Sequence, residues 1–240
     1  MRYFIELAYK GTNYNGWQRQ PNAQSVQQTI EQGMSTLLRR PITITGCGRT
    51  DTGVHSSNYY AHFEYEGDKT LDSHFIYHLN AILPRDIAVY DVFQTHKHAR
   101  FDAQSREYQY FIATRKDPFA LGQVWFLKGE LDVEKMQCAA DKLLEYSDFS
   151  SFEKLHSDNK TSLCKITRAE WHSQENRLVF TIAADRFLRG MVRAIVSTLV
   201  DVGRGKITPE GFAAIIEAKN RSKASGAAPA DGLFLTRIEY

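Results

Sequence analysis

"ITITGCGRTDTGVHSSNYYAHFEY", from Ile42 to Tyr65, decides how the chain folds. Ile42 to Cys47 and Ser57 to Tyr65 carry the β-branched and aromatic residues of two strands. Between them two glycines, Gly48 and Gly53, bracket one carboxylate, Asp51, with Arg49 two residues ahead of it and His55 four behind. Glycines on either side let the backbone turn where other residues would be strained. The stretch is therefore a strand, a presented aspartate and a second strand.

Upstream, Arg2 to Tyr9 alternates as a strand, and "GTNYNGWQRQPN" is a turn-rich loop. Ser25 with Gln28 forms a capping-box signature. Val26, Ile30, Met34 and Leu37 then fall on one helical face. Downstream, Asp72 caps a helix bearing Phe75, Ile76, Leu79 and Ile82, which Pro84 closes. Ile87 to Phe93 returns as a strand, so the order is β-α-β-β-α-β.

The second half repeats that order. Glu107 to Ala113 is a strand, and Asp132 caps a helix carrying Val133, Met136, Ala140, Leu143 and Leu144. Leu163 to Trp171 and Leu178 to Ala183 form a hairpin around the Ser173–Asn176 turn. A long helix covers Arg189 to Val202, another starts at Thr208 and Pro209, and Leu233 to Tyr240 is the last strand. Two split β-α-β units predict an α+β protein with antiparallel sheets flanked by helices. Residues 1–102 would form the N-terminal half, which carries Asp51, and residues 103–240 the C-terminal half. The cleft between them is the expected active site.

Composition narrows the function classes. A chain of 240 residues with 42% hydrophobic content forms one large or two small domains with a real core. No apolar run approaches the roughly 18–20 residues of a membrane span, and the start MRYFIELAYK lacks a signal-peptide plan. Cys47, Cys138 and Cys164 are odd in number and far apart, which argues against a disulfide framework or structural zinc and for a reducing cytosol. Net charge is only +2, but Arg186, Arg189, Arg193, Arg204 and Lys206 are opposed by Asp201 alone, and Lys219, Arg221 and Lys223 follow. Such a stretch is either a solvated face or a phosphate-contacting surface.

Asp51 lies in an Asp-Thr-Gly triplet, the signature of aspartic proteases. Those enzymes need two carboxylates sharing a proton, whereas this chain has one triplet and an arginine two residues away. A homodimer would have to supply the second aspartate; the other two roles are a turn aspartate bonded to nearby amides and an activated carboxylate nucleophile. His74 and His78 have i,i+4 spacing but no accompanying glutamate and fall off the apolar face, as solvated histidines do. His96 and His98 lie beside Lys97 and Arg100 on a basic surface. No phosphate loop, dinucleotide fingerprint or nucleophile elbow is present, and no cofactor is indicated. Tyr108 and Tyr110 share one strand face next to Arg106; each either packs in the core or stacks on a base. Arg193 falls at the edge of an apolar helix face, where it snorkels or pairs with an anion.

Together "YKGTNYNGWQRQPNAQSVQQTIE", "GRTDTGVHS", "REYQYFI", "FLRGMVRAIV" and "APADGLFL" resemble one family, the TruA-type tRNA pseudouridine synthases. The matching stretches span nearly the whole chain, and two α+β halves around a cleft are that family's fold. The resemblance implies that Asp51 is the nucleophile isomerising uridine to pseudouridine at tRNA positions 38 to 40, in the anticodon stem-loop, without metal or organic cofactor. It further implies that Tyr108 lies against the uracil, that Arg193 pairs with Asp51, and that Arg49 fills the place of the flipped base. Substrate-binding roles follow for Arg49, Tyr108, Arg189 and Leu233, and the partners implied are tRNA and a second copy in a homodimer. Two departures from the family pattern stand out: Thr52, where alanine is common, and Arg189 with Gly190, where histidines can occur.

Overall fold

A computed structural model of the chain describes residues 1–155 and 161–240. The chain divides into two units, Met1–Gln104 with Leu235–Tyr240, and Ser105–Phe234. The first unit contains β1 (Arg2–Tyr9), α1 (Val26–Leu38), β2 (Thr45–Gly46), β3 (His55–Glu64), α2 (Ser73–Ile82) and β4 (Ile87–Gln94). β1 lies between β3 and β4, antiparallel to both, so Ile5 stands opposite Ala61 on one side and Val92 on the other. Ile5, Leu7 and Tyr9 are buried with the period of two that one sheet face requires. Helices form where their caps dictate. The Ser25 hydroxyl accepts from Gln28 N at 3.2 Å, and Asp72 Oδ1 accepts from His74 N and Phe75 N, each at 3.0 Å.

Three expectations shift here. The strand expected from Ile42 to Cys47 shortens to the two residues of β2. Residues 42–44 bond to α1 instead: Ile42 N donates to Ser35 Oγ, Ile44 N to Glu31 Oε1, and Gln27 Nε2 to the Ile44 carbonyl. Their alternation survives, with Ile42 and Ile44 both buried. Ile82 is 47% exposed, because α2 ends there and Leu83, just past it, turns into the core instead. On α1, Leu38 rather than Leu37 completes the buried row of Val26, Ile30 and Met34.

The second unit contains β5 (Ser105–Ala113), β6 (Trp125–Phe126), α3 (Val133–Lys142), β7 (Ile166–Gln174), β8 (Arg177–Ala184), α4 (Met191–Gly203) and α5 (Pro209–Glu217). β8 pairs antiparallel with both β5 and β7, and the short β6 is parallel to β5. The β7–β8 turn is Glu175–Asn176, with Glu175 at φ 52°. β7 begins three residues later than expected, since Leu163 only bridges Asp148. Leu143 is buried in a 3-10 turn after α3, and Leu144 points outward. α4 starts at Met191 after Gly190 at φ 71°, which leaves Arg189 in the preceding turn rather than in the helix.

β9 (Leu233–Glu239) ends the chain. From Leu235 onward it belongs to the first unit, beside β3, where Ser56 Oγ donates to the Leu235 carbonyl at 3.0 Å. The architecture is thus mixed α and β, mostly antiparallel, with helices flanking the sheets.

Candidate active site

The Asp51 loop rests on an aromatic base. Trp17 stacks on Tyr59 with ring centroids 4.0 Å apart, and Tyr9 lies against both at 6.0 and 5.6 Å. Burial, with Cys47 and Tyr9 beside it, raises the Tyr59 hydroxyl well above the usual phenol range. It therefore stays a donor, and it bonds the Gly48 carbonyl at 2.5 Å. The Tyr9 hydroxyl is 2.9 Å from Thr50 Oγ1. Two residues just ahead of Asp51 are thereby pinned from beneath.

A second layer of contacts comes from the segment between β1 and α1. Trp17 N donates to the Thr50 carbonyl at 3.3 Å, Gly53 N donates to the Tyr14 carbonyl at 3.3 Å, and Gly11 N donates to Nδ1 of the buried His55 at 3.0 Å. His55 thus carries its proton on Nε2 if neutral, and serves the backbone. Within the turn, Val54 N closes on the Asp51 carbonyl at 3.1 Å. Gly16, at φ 79°, packs so closely on the Thr50 carbonyl that a Cβ there would overlap it. The turn presents Asp51 half-buried. Arg49 is exposed on the same loop, its Nε donating to Gln18 Oε1 at 3.1 Å.

The remaining expected site residues belong to the second unit. Tyr108, half-buried on β5, meets Phe187 edge-on at 5.1 Å. Phe187 leads into the turn that carries the exposed Arg189, whose carbonyl accepts from Lys154 N. Arg193 sits in the first turn of α4, its Nε donating to the Ala228 carbonyl at 2.6 Å while Ala228 N donates back to the Arg193 carbonyl at 3.0 Å. One residue on, the Pro229 carbonyl accepts from the buried Tyr110 hydroxyl at 2.8 Å. Burial raises that hydroxyl's pKa, against the opposing pull of the Arg193 charge. Tyr110 is thus a core residue with a tethering role. Leu233 opens β9 and is only 5% exposed.

Other candidates resolve into structure. His74 and His78 bond each other through their Nε2 atoms at 3.0 Å on an exposed face of α2. His98 Nδ1 accepts from Arg100 N and Phe101 N and so shapes a turn. Part of the basic stretch is spent locally: Lys206 pairs with Asp201 and Lys219 with Asp148, each at 2.9 Å. Among the described residues no group of three or more His, Cys, Asp or Glu is placed to hold a metal, and no helix is long and apolar enough to cross a membrane. Sequence reasoning missed Tyr14, Gly16 and Tyr110 as supports of the site. The signal for the first two was the mixing of aromatic residues with glycines in "GTNYNGW".

What this arrangement offers chemically is one carboxylate aimed by a locked turn, with no second Asp-Thr-Gly to share a proton. That favours nucleophilic over acid-pair chemistry. A family profile for tRNA pseudouridine synthase matches residues 139–240. The chain is 52% identical to tRNA pseudouridine synthase A of Bacteroides thetaiotaomicron, covering 100% of this chain and 90% of that protein. It is 51% identical to the Bacteroides fragilis protein of the same name, covering 100% and 96%. A more distant relative of that name, from Acetivibrio thermocellus, is 39% identical over 98% of this chain and 97% of its own.

Proposed function

The chain belongs to the tRNA pseudouridine synthase A family of isomerases, and on that premise we propose that Asp51 is its nucleophile, acting on uridines at tRNA positions 38 to 40 in the anticodon stem-loop. The reaction breaks the N1–C1′ glycosidic bond, turns the uracil and forms a C5–C1′ bond. A proton leaves C5 and one is gained at N1, so the composition of the RNA is unchanged. A carboxylate can hold the fragments together by adding to the uracil ring or by attacking the ribose C1′. Either route needs it ionised and aimed.

The observation that carries the reading is the Asp51 turn, fixed through Thr50, Gly53 and Val54 while the carboxylate stays half-buried. In the proposed complex the target uridine is turned out of its stem to reach Asp51. Its base lies against Tyr108, and Arg193 pairs with Asp51 to keep it ionised and oriented. Arg49, exposed on the same loop, takes the place the base leaves in the stem. Extrusion costs a few kcal/mol, which such replacement and stacking offset. Arg189 and Leu233 add substrate contacts, Leu233 with little surface to offer. A homodimer working in a reducing cytosol, with no metal or organic cofactor, completes the proposal.

Transfer RNA labelled with tritium at uracil C5 tests it. Release of tritium, with pseudouridine mapped to positions 38 to 40, is the expected result. Binding of the tRNA without release would mean an RNA-binding module without chemistry.

A further inference from the structure

The segment that braces the Asp51 turn is anchored at its Gly16–Trp17 end by the start of α1, where Val26 N and Gln27 N donate to the Gly16 and Trp17 carbonyls at 3.2 and 3.1 Å, and at its Lys10–Tyr14 end by Asp86. This residue lies in the turn between α2 and β4, where Ile87 N closes on the Pro84 carbonyl at 3.0 Å. Its backbone carbonyl accepts from Lys10 N at 2.8 Å, its Oδ1 accepts the Tyr14 hydroxyl at 2.6 Å, and its Oδ2 accepts from Asn13 Nδ2 at 3.1 Å. Tyr14 is buried, and burial, reinforced by the bond to Asp86, raises its hydroxyl's pKa, so it remains a donor. Its amide closes a turn on the Gly11 carbonyl at 2.9 Å, and its carbonyl takes Gly53 N. One residue therefore joins the Asp86 carboxylate to the backbone two positions after Asp51. Gly11, within the same turn, reaches His55.

We propose that Asp86 is a positioning residue for Asp51, acting through Tyr14 and the Lys10–Trp17 segment. The inference rests on Asp51 being the nucleophile. The reason is geometric. A short loop held by backbone bonds of 3.0–3.3 Å keeps its tip in place only as well as the segment it is bonded to. That segment has no regular element of its own beyond the single turn Gly11–Asn13. Asp86 supplies the fixed point at the Lys10–Tyr14 end because β4, which follows at Ile87, is paired along its length with β1.

The experiment is a double-mutant cycle in single-turnover pseudouridine formation, with tRNA affinity measured in parallel by filter binding. Asp86→Ala and Tyr14→Phe are each expected to slow the chemical step, by up to about 10²-fold for a tip displaced by roughly 1 Å, while affinity stays parental. Because both remove the same bond, the double variant should be no slower than the slower single. Asp86→Asn, whose amide carbonyl still accepts the Tyr14 hydroxyl, should recover most of the rate. If Asp86→Ala does not fold, Tyr14→Phe and Asp86→Asn carry the comparison. Parental rates in the single variants, losses that multiply in the double, or a loss confined to tRNA affinity would overturn the inference. Asp51→Asn, assayed alongside, separates the two levels. An active Asp51→Asn removes the nucleophile and the brace together, whereas an inactive one with parental Asp86→Ala and Tyr14→Phe removes the brace alone.

Discussion

The Asp51 turn and the Ala228–Pro229 segment are both tied to aromatic strands, but by different means. The first is locked chiefly by a neighbouring stretch of backbone, with Gly16 and Trp17 on Thr50, Tyr14 on Gly53 and Gly11 on the His55 ring, above the Tyr9 and Tyr59 hydroxyls. The second is held chiefly by side chains, with Arg193 Nε on the Ala228 carbonyl and the Tyr110 hydroxyl on the Pro229 carbonyl, beside one backbone bond from Ala228 N to the Arg193 carbonyl. Backbone locks cannot be deleted by trimming one side chain; they are loosened only through the residues around them. Side-chain tethers can be weakened one bond at a time. The proposed nucleophile is placed on the first kind of support, and its proposed partner cation on the second.

The largest effect should come from breaking the backbone lock. Gly16→Ala adds a Cβ onto the Thr50 carbonyl at a left-handed φ of 79°. We expect a loss of about 2–4 kcal/mol of stability in urea unfolding and a collapse of the tritium-release rate. Unchanged stability would mean that the brace is softer than its geometry.

Next come the Arg193 variants, which probe the side-chain support. If the guanidinium keeps the proposed nucleophile ionised, Arg193→Ala moves the acidic limb of the pH–rate profile to higher pH. Arg193→Lys keeps the charge but loses the planar grip, so it should be slow without the full shift. Wild-type single-turnover rates across the acidic range in Arg193→Ala would leave Arg193 a snorkelling residue.

The first unit should also lose stability in mild acid. Burial foremost, then the charges of His98 and Arg2, lower His62 from its ordinary 6.5 to about 4, and its Nδ1 accepts from Ala99 N at 3.1 Å. A base whose folded-state value is lowered binds fewer protons folded than unfolded. Its contribution is therefore fully present above pH 6.5 and is lost as pH falls through 6.5 towards 4. Urea midpoints at neutral and acidic pH should show this loss, and His62→Gln should reduce it. The smallest effect belongs to Tyr110→Phe, which removes one tether and leaves the ring in place. It should cost about 1 kcal/mol and slow the reaction only modestly, as thermal unfolding and tritium release would show.

Most of the fold was legible in the sequence, because caps and periodicity are local. Ser25, Asp72, Asp132 and Thr208 each cap the helix that their spacing predicted. What was not legible depends on partners far along the chain. Ile42 to Ile44 has a strand's alternation, yet its backbone bonds go to Glu31, Ser35 and Gln27 on α1. Arg189 reads as helix until Gly190 at φ 71° delays the start. The motif around Asp51 names the loop, but the residues that hold it, Tyr14 and Gly16, and the carboxylate behind them, Asp86, lie 35 to 37 positions away in either direction. Tyr110 looked like Tyr108's neighbour on one face, and only the fold separates the tethered hydroxyl of Tyr110 from the Tyr108 ring set against Phe187.

The central claim is that Asp51 does the chemistry, and one measurement meets it directly. Asp51→Asn replaces the carboxylate with an amide of nearly the same size, which leaves the braced turn intact while removing the nucleophile. In a single-turnover assay with uracil-C5-tritiated tRNA and freshly purified protein free of deamidation, the variant should bind the tRNA like the parent and release no tritium. Measurable release by that protein would contradict the assignment.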